Sequence, residues 1–227
     1  MTATTPLGVD RLREIVELHI QWRASNGVDG ARADLTGADL ADADLARADL
    51  AGADLARADL TDADLTDADL TDADLTGANL ARADLTDADL TRADLTRADL
   101  AGADLTDANL TDADLAGANL TDADLAGANL AGADLARADL TRADLTRADL
   151  TRANGIIRLE PIDGWILHAV RWADGPRIHA GCRWFTVSEA REHWGTAAMP
   201  DRREHCDRML AGVDALLAVA KVHEWPV

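Results

Sequence analysis

The chain has 227 residues, 42 Asp and Glu against 22 Lys and Arg, a net charge of −20 and a pI of about 4.4. So acidic a chain disfavours direct contact with nucleic acid or an anionic membrane and favours a basic protein partner. Only two cysteines, Cys182 and Cys206, occur, which excludes a disulfide scaffold. Residues 1–12 lack the apolar core of a signal peptide, and no apolar run reaches the ~18 residues of a membrane span, so a soluble cytoplasmic protein is expected.

Residues 1–30 form the first segment. Asp10 to Arg23 reads as an amphipathic helix, with Leu12, Ile15, Val16, His19 and Trp22 at helical spacing. Asp10 is placed to cap its start, and Ser25-Asn26-Gly27 ends it. Its expected role is to plug the open end of the repeat region that begins at Ala31.

From Ala31 to Asn154 the alphabet shrinks almost to Ala, Asp, Asn, Leu, Thr, Arg and Gly, and all six Trp and the single Phe lie elsewhere. Leu recurs every fifth residue from Leu35 to Leu150, giving 24 repeats. Ala stands two before each Leu, and Asp or Asn one before. An α-helix advances about 500° in five residues, so the leucines would wind around it without forming a stripe. A flat strand fails too, because an odd period flips alternate leucines outward. A short bent unit succeeds: Ala-Asp-Leu is in-out-in, and the next two residues turn a corner. Four such sides close a square coil, four repeats to the turn. About six coils at ~4.8 Å make a rod of ~29 Å, with Leu35, Leu55, Leu75, Leu95, Leu115 and Leu135 along one line of its core.

The tandem A-[DN]-L-x-x motif over these 124 residues resembles the pentapeptide-repeat family. That resemblance implies a mainly β architecture, a right-handed quadrilateral β-helix. The full expectation is this solenoid over 31–154, the capping helix before it, and a small C-terminal β/α domain over 155–227.

Asp precedes Leu in 20 repeats; Asn79, Asn109, Asn119 and Asn129 are the exceptions. An Asx side chain there can accept nearby backbone N–H groups, a role Asn would fill without charge. The second position after Leu, from Arg32 to Arg152, adds eight Asp, ten Arg and seven Gly. The repeats therefore carry 28 Asp against 10 Arg, nearly all of the chain's net charge. Spread over the rod this is about one charge per 1.6 Å, against ~1.7 Å in duplex DNA. Taking every twentieth residue as one edge, Asp67, Asp87 and Asp107 stack between Arg47 and Arg147, a candidate face for a basic partner. Arg57, Arg97 and Arg137 alternate with Gly37, Gly77 and Gly117 on another edge. Arg137, Arg142, Arg147 and Arg152 ring the last coil.

After Asn154-Gly155 the repeat ends. Ile156–Glu160, Trp165–Trp172 and Arg177–Phe185 read as strands, with turns at residues 161–164 and 174–176. Thr186-Val187-Ser188-Glu189 is a capping box opening a helix to about Trp194. A second helix is expected from about Asp201 to Val222, with Met209, Leu210, Val213, Leu216, Leu217 and Ala220 on its apolar face. The stretch IHAGCRWFTVSEAREHW resembles tails that follow pentapeptide repeats in some bacterial and phage proteins. Trp165, Trp172, Trp184 and Leu216 are candidates for a cap, or for a surface that assembles with itself or a partner.

Little here points to catalysis. His179-x-x-Cys182 with His205-Cys206, near His168 and His193, invites a zinc or Cys-His reading. No second Cys-x-x-Cys supports it, and adjacent residues on a helix point apart. The solenoid's Ala and Leu interior offers no pocket, and the isolated glycines make no phosphate loop. No cofactor or metal is expected. The functional expectation is a non-enzymatic interaction scaffold. The alternative, implied by the family resemblance, is a DNA mimic occupying a type II topoisomerase such as DNA gyrase; a Cys/His site in the tail is third.

Overall fold

The computed structural model describes residues 7–140, 142–158, 167–172, 175–180 and 183–195. The chain divides into two compact units at the Asn154–Gly155 junction.

In the first unit, one short Asp or Asn bridge per repeat pairs in parallel with its counterpart four repeats on, from Asp34–Asp54 to Asp134–Asn154. That constant offset makes a four-sided coil. Ladder bonds join successive coils, with Leu55 N–H donating to the Asp74 carbonyl at 2.7 Å and Asp74 N–H to the Ala53 carbonyl at 3.0 Å. Each corner is a turn closed from Ala N–H back to Leu, as Ala58 to Leu55 at 3.0 Å. Its third residue has positive φ, which such turns require and which favours Gly. Yet Arg and Asp occupy most of these corners, for example Arg97 and Asp87, each at φ 58°.

The interior consists of stacked leucines and alanines. Leu35, Leu55, Leu75, Leu95, Leu115 and Leu135 all lie within it, as do their neighbouring alanines. Fully burying a leucine contributes roughly 1.5–3 kcal/mol, and Ala is the size that lets two inward side chains fit per repeat.

Helix α1, Val9–Ala24, precedes the coils. It starts earlier than the sequence suggests: Gly8 is the N-cap, and no side chain caps it. Asp10 is thus not the cap. It sits in the first turn, where its negative charge suits the positive end of the helix dipole, and lies 3.8 Å from Arg13. Ser25, Asn26 at φ 54° and Gly27 at φ 86° end the helix. Leu12 and His19 are buried, and Ile15, Val16 and Trp22 are half-buried. The chain then passes close beneath α1 at Gly30. A Cβ there would collide with the Leu18 carbonyl and come within 2.7 Å of Trp22 N. Ala31 N–H donates to that Leu18 carbonyl at 3.1 Å, and Leu7 N–H to Asp39 O at 3.0 Å.

In the second unit β1 (Ile156–Arg158), β2 (Leu167–Trp172), β3 (Gly175–Ala180) and β4 (Arg183–Thr186) form an antiparallel sheet in sequence order. Helix α2, Val187–Gly195, follows directly and lies near β3 and β4. The run 177–185, read as one strand, is two: Ala180 pairs with Arg183, so the chain reverses between them. Gly175 and Pro176, assigned to a turn, belong to β3, with Gly175 opposite Trp172. The other expected turn at 161–164 and the second helix at 201–222 lie outside the described residues.

Candidate functional site

The aspartate before each Leu does structural work first. Its Oδ1 accepts the N–H two residues on: Thr66 N–H to Asp64 at 3.0 Å, Thr86 N–H to Asp84 at 3.0 Å, Thr106 N–H to Asp104 at 2.9 Å. A threonine there adds its hydroxyl, as Thr66 Oγ1 does to Asp64 at 2.7 Å. These bonds hold the Asp64 carboxyl below its ordinary pKa, the Thr66 side-chain bond first and the Thr66 backbone bond second. The carboxylates are therefore fixed in orientation as well as charged.

Sorting these residues by face separates two kinds. Asn79, Asn109, Asn119 and Asn129 fall on two opposite faces only. There they relieve the ladder: Asn119 Nδ2 donates to Asp99 at 2.9 Å, and Asn109 Nδ2 to Asp89 at 3.3 Å and to Thr91 Oγ1 at 2.9 Å. The other two faces hold long aspartate ladders. One comprises Asp34, Asp54, Asp74, Asp94, Asp114 and Asp134, and ends on Asn154, whose Nδ2 donates to Asp134 at 3.1 Å. The second comprises Asp44, Asp64, Asp84, Asp104, Asp124 and Asp144. Like charges stacked about 4.8 Å apart repel, and an ionised carboxylate has no proton to donate to the next.

The two ladders differ in their corners. Those flanking the Asp34 ladder hold six arginines and two aspartates. Those flanking the Asp44 ladder hold four arginines and six aspartates. Ion pairing then separates the Asp62-Asp122 corner from the Asp67-Asp107 corner, both of which flank the Asp44 ladder. On the corners an arginine reaches back one coil to an aspartate, with both nitrogens on both oxygens. Arg82 to Asp62 spans 2.7 and 2.5 Å, Arg92 to Asp72 spans 2.8 and 2.7 Å, and Arg142 binds Asp122 in the same way. Hydrogen bonding to arginine is the first cause holding Asp62, Asp72 and Asp122 below the carboxylate range.

The corner of Asp67, Asp87 and Asp107 is different. Asp67 faces Arg47 through one contact at 3.5 Å, and among the described residues Asp87 and Asp107 form no ion pair. All three are exposed. The Asp107 carboxylate leans over Gly127, where a Cβ would collide with its Oδ1. This corner borders the Asp64-Asp84-Asp104 ladder, so six aspartates from three coils line one edge. Sequence reading singled out the corner and passed over the ladder beside it. The signal was available, as the face-by-face distribution of Asn.

Trp172 and Trp184 lie on β2 and β4; Trp165 and Leu216 lie outside the described residues. His168 and His179 are paired across β2 and β3, and His193 is on α2. Cys182, His205 and Cys206 lie outside the described residues. Among the described residues no three His, Cys, Asp or Glu are grouped to hold a metal, and no helix is long and apolar enough to cross a membrane.

A family model described as "Pentapeptide repeats" matches in eight copies over residues 31–67, 68–107, 88–125 and 118–154. Among solved structures, the chain is similar to a pentapeptide repeat protein, Rfr23, from the cyanobacterium Cyanothece 51142. They share 38% identity over 40% of this chain and 63% of that one, with a TM-score of 0.39. HetL of Nostoc sp. strain PCC 7120, involved in heterocyst differentiation regulation, is 40% identical over 54% of this chain and 65% of its own, with a TM-score of 0.33. QnrB1, a plasmid-mediated fluoroquinolone resistance protein, is 23% identical over 49% and 64%, with a TM-score of 0.28. The chain thus spans less than two thirds of the length of each. Curated proteins yield no match.

Proposed function

The chain belongs to the pentapeptide-repeat family of right-handed β-helices, and from that premise we propose that it is a non-enzymatic scaffold whose acidic edge receives a basic protein surface. One observation carries the reading. Asp64, Asp84 and Asp104 stand beside Asp67, Asp87 and Asp107 on one edge, while arginines bind the acids of other corners in pairs. The Asx bonds hold the ladder carboxylates in place, so a partner meets charges already oriented. In this reading α1 caps the first coil, the protein works in the cytoplasm, and residues 155–227 supply a docking or self-assembly element.

Charge-matched variants test the edge. Asp64, Asp84 and Asp104 are changed together to Asn, and Asp54, Asp74 and Asp94 likewise on the opposite ladder. Binding of a short Lys- and Arg-rich peptide is measured by calorimetry at low salt. The first triple should weaken binding well beyond the second. Equal loss in both makes the affinity a property of net charge and removes the edge from the reading.

A second reading rests on linear charge density, about that of duplex DNA along the rod. In it the protein occupies the DNA-binding surface of a type II topoisomerase. Inhibition of gyrase supercoiling that falls with salt and disappears in the Asp67/Asp87/Asp107→Asn variant supports it. Absence of inhibition at micromolar protein removes gyrase as the target.

A further inference from the structure

His19 is the one buried polar side chain among the described residues, and it sits where α1 meets the first coils. Its ring takes the place of missing backbone. In the coils, the N–H of the second residue after Leu donates to a carbonyl of the next coil, as Gly37 does to Ala56 at 2.9 Å. By the same offset Arg32 would serve Ala51. Instead the Ala51 carbonyl receives His19 Nε2 at 3.1 Å, and the Arg32 side chain is on the Gly52 carbonyl. Each repeat's Ala N–H likewise returns to a Leu carbonyl three residues before, as Ala38 to Leu35 at 3.0 Å. For Ala33 that place is held by Gly30, and its N–H goes to His19 Nδ1 at 3.1 Å.

An imidazole that accepts an amide N–H at Nδ1 must donate from Nε2 and be neutral, because imidazolium carries N–H on both nitrogens. Protonation would set Nδ1–H against the Ala33 N–H and leave a charge in a closed site. The surroundings give that charge mixed support. On α1, Trp22 stacks on the ring at 5.6 Å between centroids, and Arg23 is nearby. Arg32 approaches from the segment leading into the coil, and Asp49 from the first coil. Arg23 itself is bound to Asp49 and, at 3.0 Å, to Asp69 of the next coil.

We propose that His19 is a pH-gated latch: protonating it releases α1 and bares the parallel sheet edge of the first coil. Burial is the main cause holding the ring below the ordinary histidine value of 6.5. Arg23 and Arg32 act with it; the Ala51 carbonyl and Asp49 act against it. The released ring therefore binds the proton first. The latch is whole above about pH 6.5 and weakens as pH falls below it. The Arg23 link responds elsewhere. Burial raises the Asp69 pKa, but bonds from Thr71 and Arg23 outweigh it and leave the group below 3.8, so that tie stays charged throughout the histidine window.

Hydrogen exchange of the full chain at pH 7.5 and 5.5, corrected for intrinsic rates, tests the latch. At pH 5.5 a ring protonated only when released favours release about tenfold more than at pH 7.5. Peptides from α1 and residues 31–50 should lose protection by that factor, while residues 71–110 keep theirs. His19→Gln offers one donor and one acceptor but cannot titrate, so its α1 protection should not depend on pH between these values. Unchanged α1 protection in the natural chain, or the same loss in His19→Gln, overturns the proposal. Should that variant fail to dock α1, two-bond nitrogen–proton spectra of the natural chain decide. The latch requires an Nε2–H ring at neutral pH whose protonation moves with the α1 amides. A ring that titrates while those amides stay still overturns it.

Discussion

Changing Asp84 to Asn should make the protein more stable, and the size of the gain can be worked from the ladder. Asp84 is exposed and bridges to Asp64 and Asp104, one coil away on either side. At about 4.8 Å two like charges repel by roughly 0.9 kcal/mol at the dielectric of water. Screening over a Debye length of about 8 Å cuts this to roughly 0.5 kcal/mol per pair, so removing two pairs gives about 1 kcal/mol at physiological salt. The Asx bond survives, because an amide oxygen also accepts the Thr86 N–H, as Asn109 Oδ1 accepts that of Thr111 at 3.2 Å. The new Nδ2 can donate back to Asp64, as Asn79 does to Asp59 at 3.2 Å. In a protein of this size about 1 kcal/mol raises the melting temperature by roughly 2–4 °C. The assay is a circular-dichroism melt of both proteins in 10 mM and 1 M sodium chloride. The charge component should shrink from about 1.5 kcal/mol to about 0.3 kcal/mol as the Debye length falls from about 30 Å to about 3 Å. A destabilised variant, or a gain equal at both salts, refutes the idea that the ladder is held against its own repulsion.

Leu85→Ala should cost about 2–5 kcal/mol, read by the same melts, because Leu85 is fully buried in the middle of the stack. Gly37→Ala and Gly30→Ala separate two kinds of glycine. The first meets open space and should cost about 1 kcal/mol for its φ of 62°; the second collides with α1 backbone and should cost several-fold more, with lost exchange protection in α1. A double-mutant cycle on Asp62 and Arg82 should give only a small coupling despite the two-pronged geometry, and one that shrinks in 1 M salt, since both side chains are well exposed.

The coil was legible because its signal is redundant. Ala-Asp-Leu alternates inside and outside, every corner repeats, and the pairing of each repeat with the fourth one on follows from four sides. The second unit was less so. Within residues 177–185 apolar and polar residues run on without an obvious stop, so nothing in the pattern marks the change from β3 to β4 between Ala180 and Arg183. Asp10 misled because an acidic residue suits both an N-cap and a first turn, and only the backbone separates the two. His19 read as part of an apolar face, which it is. That its two nitrogens replace backbone groups depends on where Ala33 and Ala51 sit, 14 and 32 residues away. On the corners, that Arg82, Arg92 and Arg142 reach back one coil depends on side-chain rotamers, which residue spacing does not fix.

Two choices in this sequence run against stability. The first is the unbroken Asp44 ladder, where Asn would add a bond and remove a repulsion, as it does on the faces that contain it. The second is the corner chemistry. Gly would relieve a left-handed strain of roughly 1–2 kcal/mol while adding about 0.5–1 kcal/mol of chain entropy, yet Arg and Asp fill most corners. Arginine makes the cost plainest, since it has no short polar side chain to bond locally. At Arg82, Arg92 and Arg142 that cost accompanies neutralisation of Asp62, Asp72 and Asp122. On the Asp67-Asp87-Asp107 corner, one of the two beside the Asp44 ladder, the pattern stops, and among the described residues no arginine binds Asp87 or Asp107. The two corners beside this ladder each hold three aspartates and two arginines, but two-pronged pairing neutralises two of the acids on one corner and none on the other. A coat that served only solubility would have no reason to discriminate between edges, and a docking surface would.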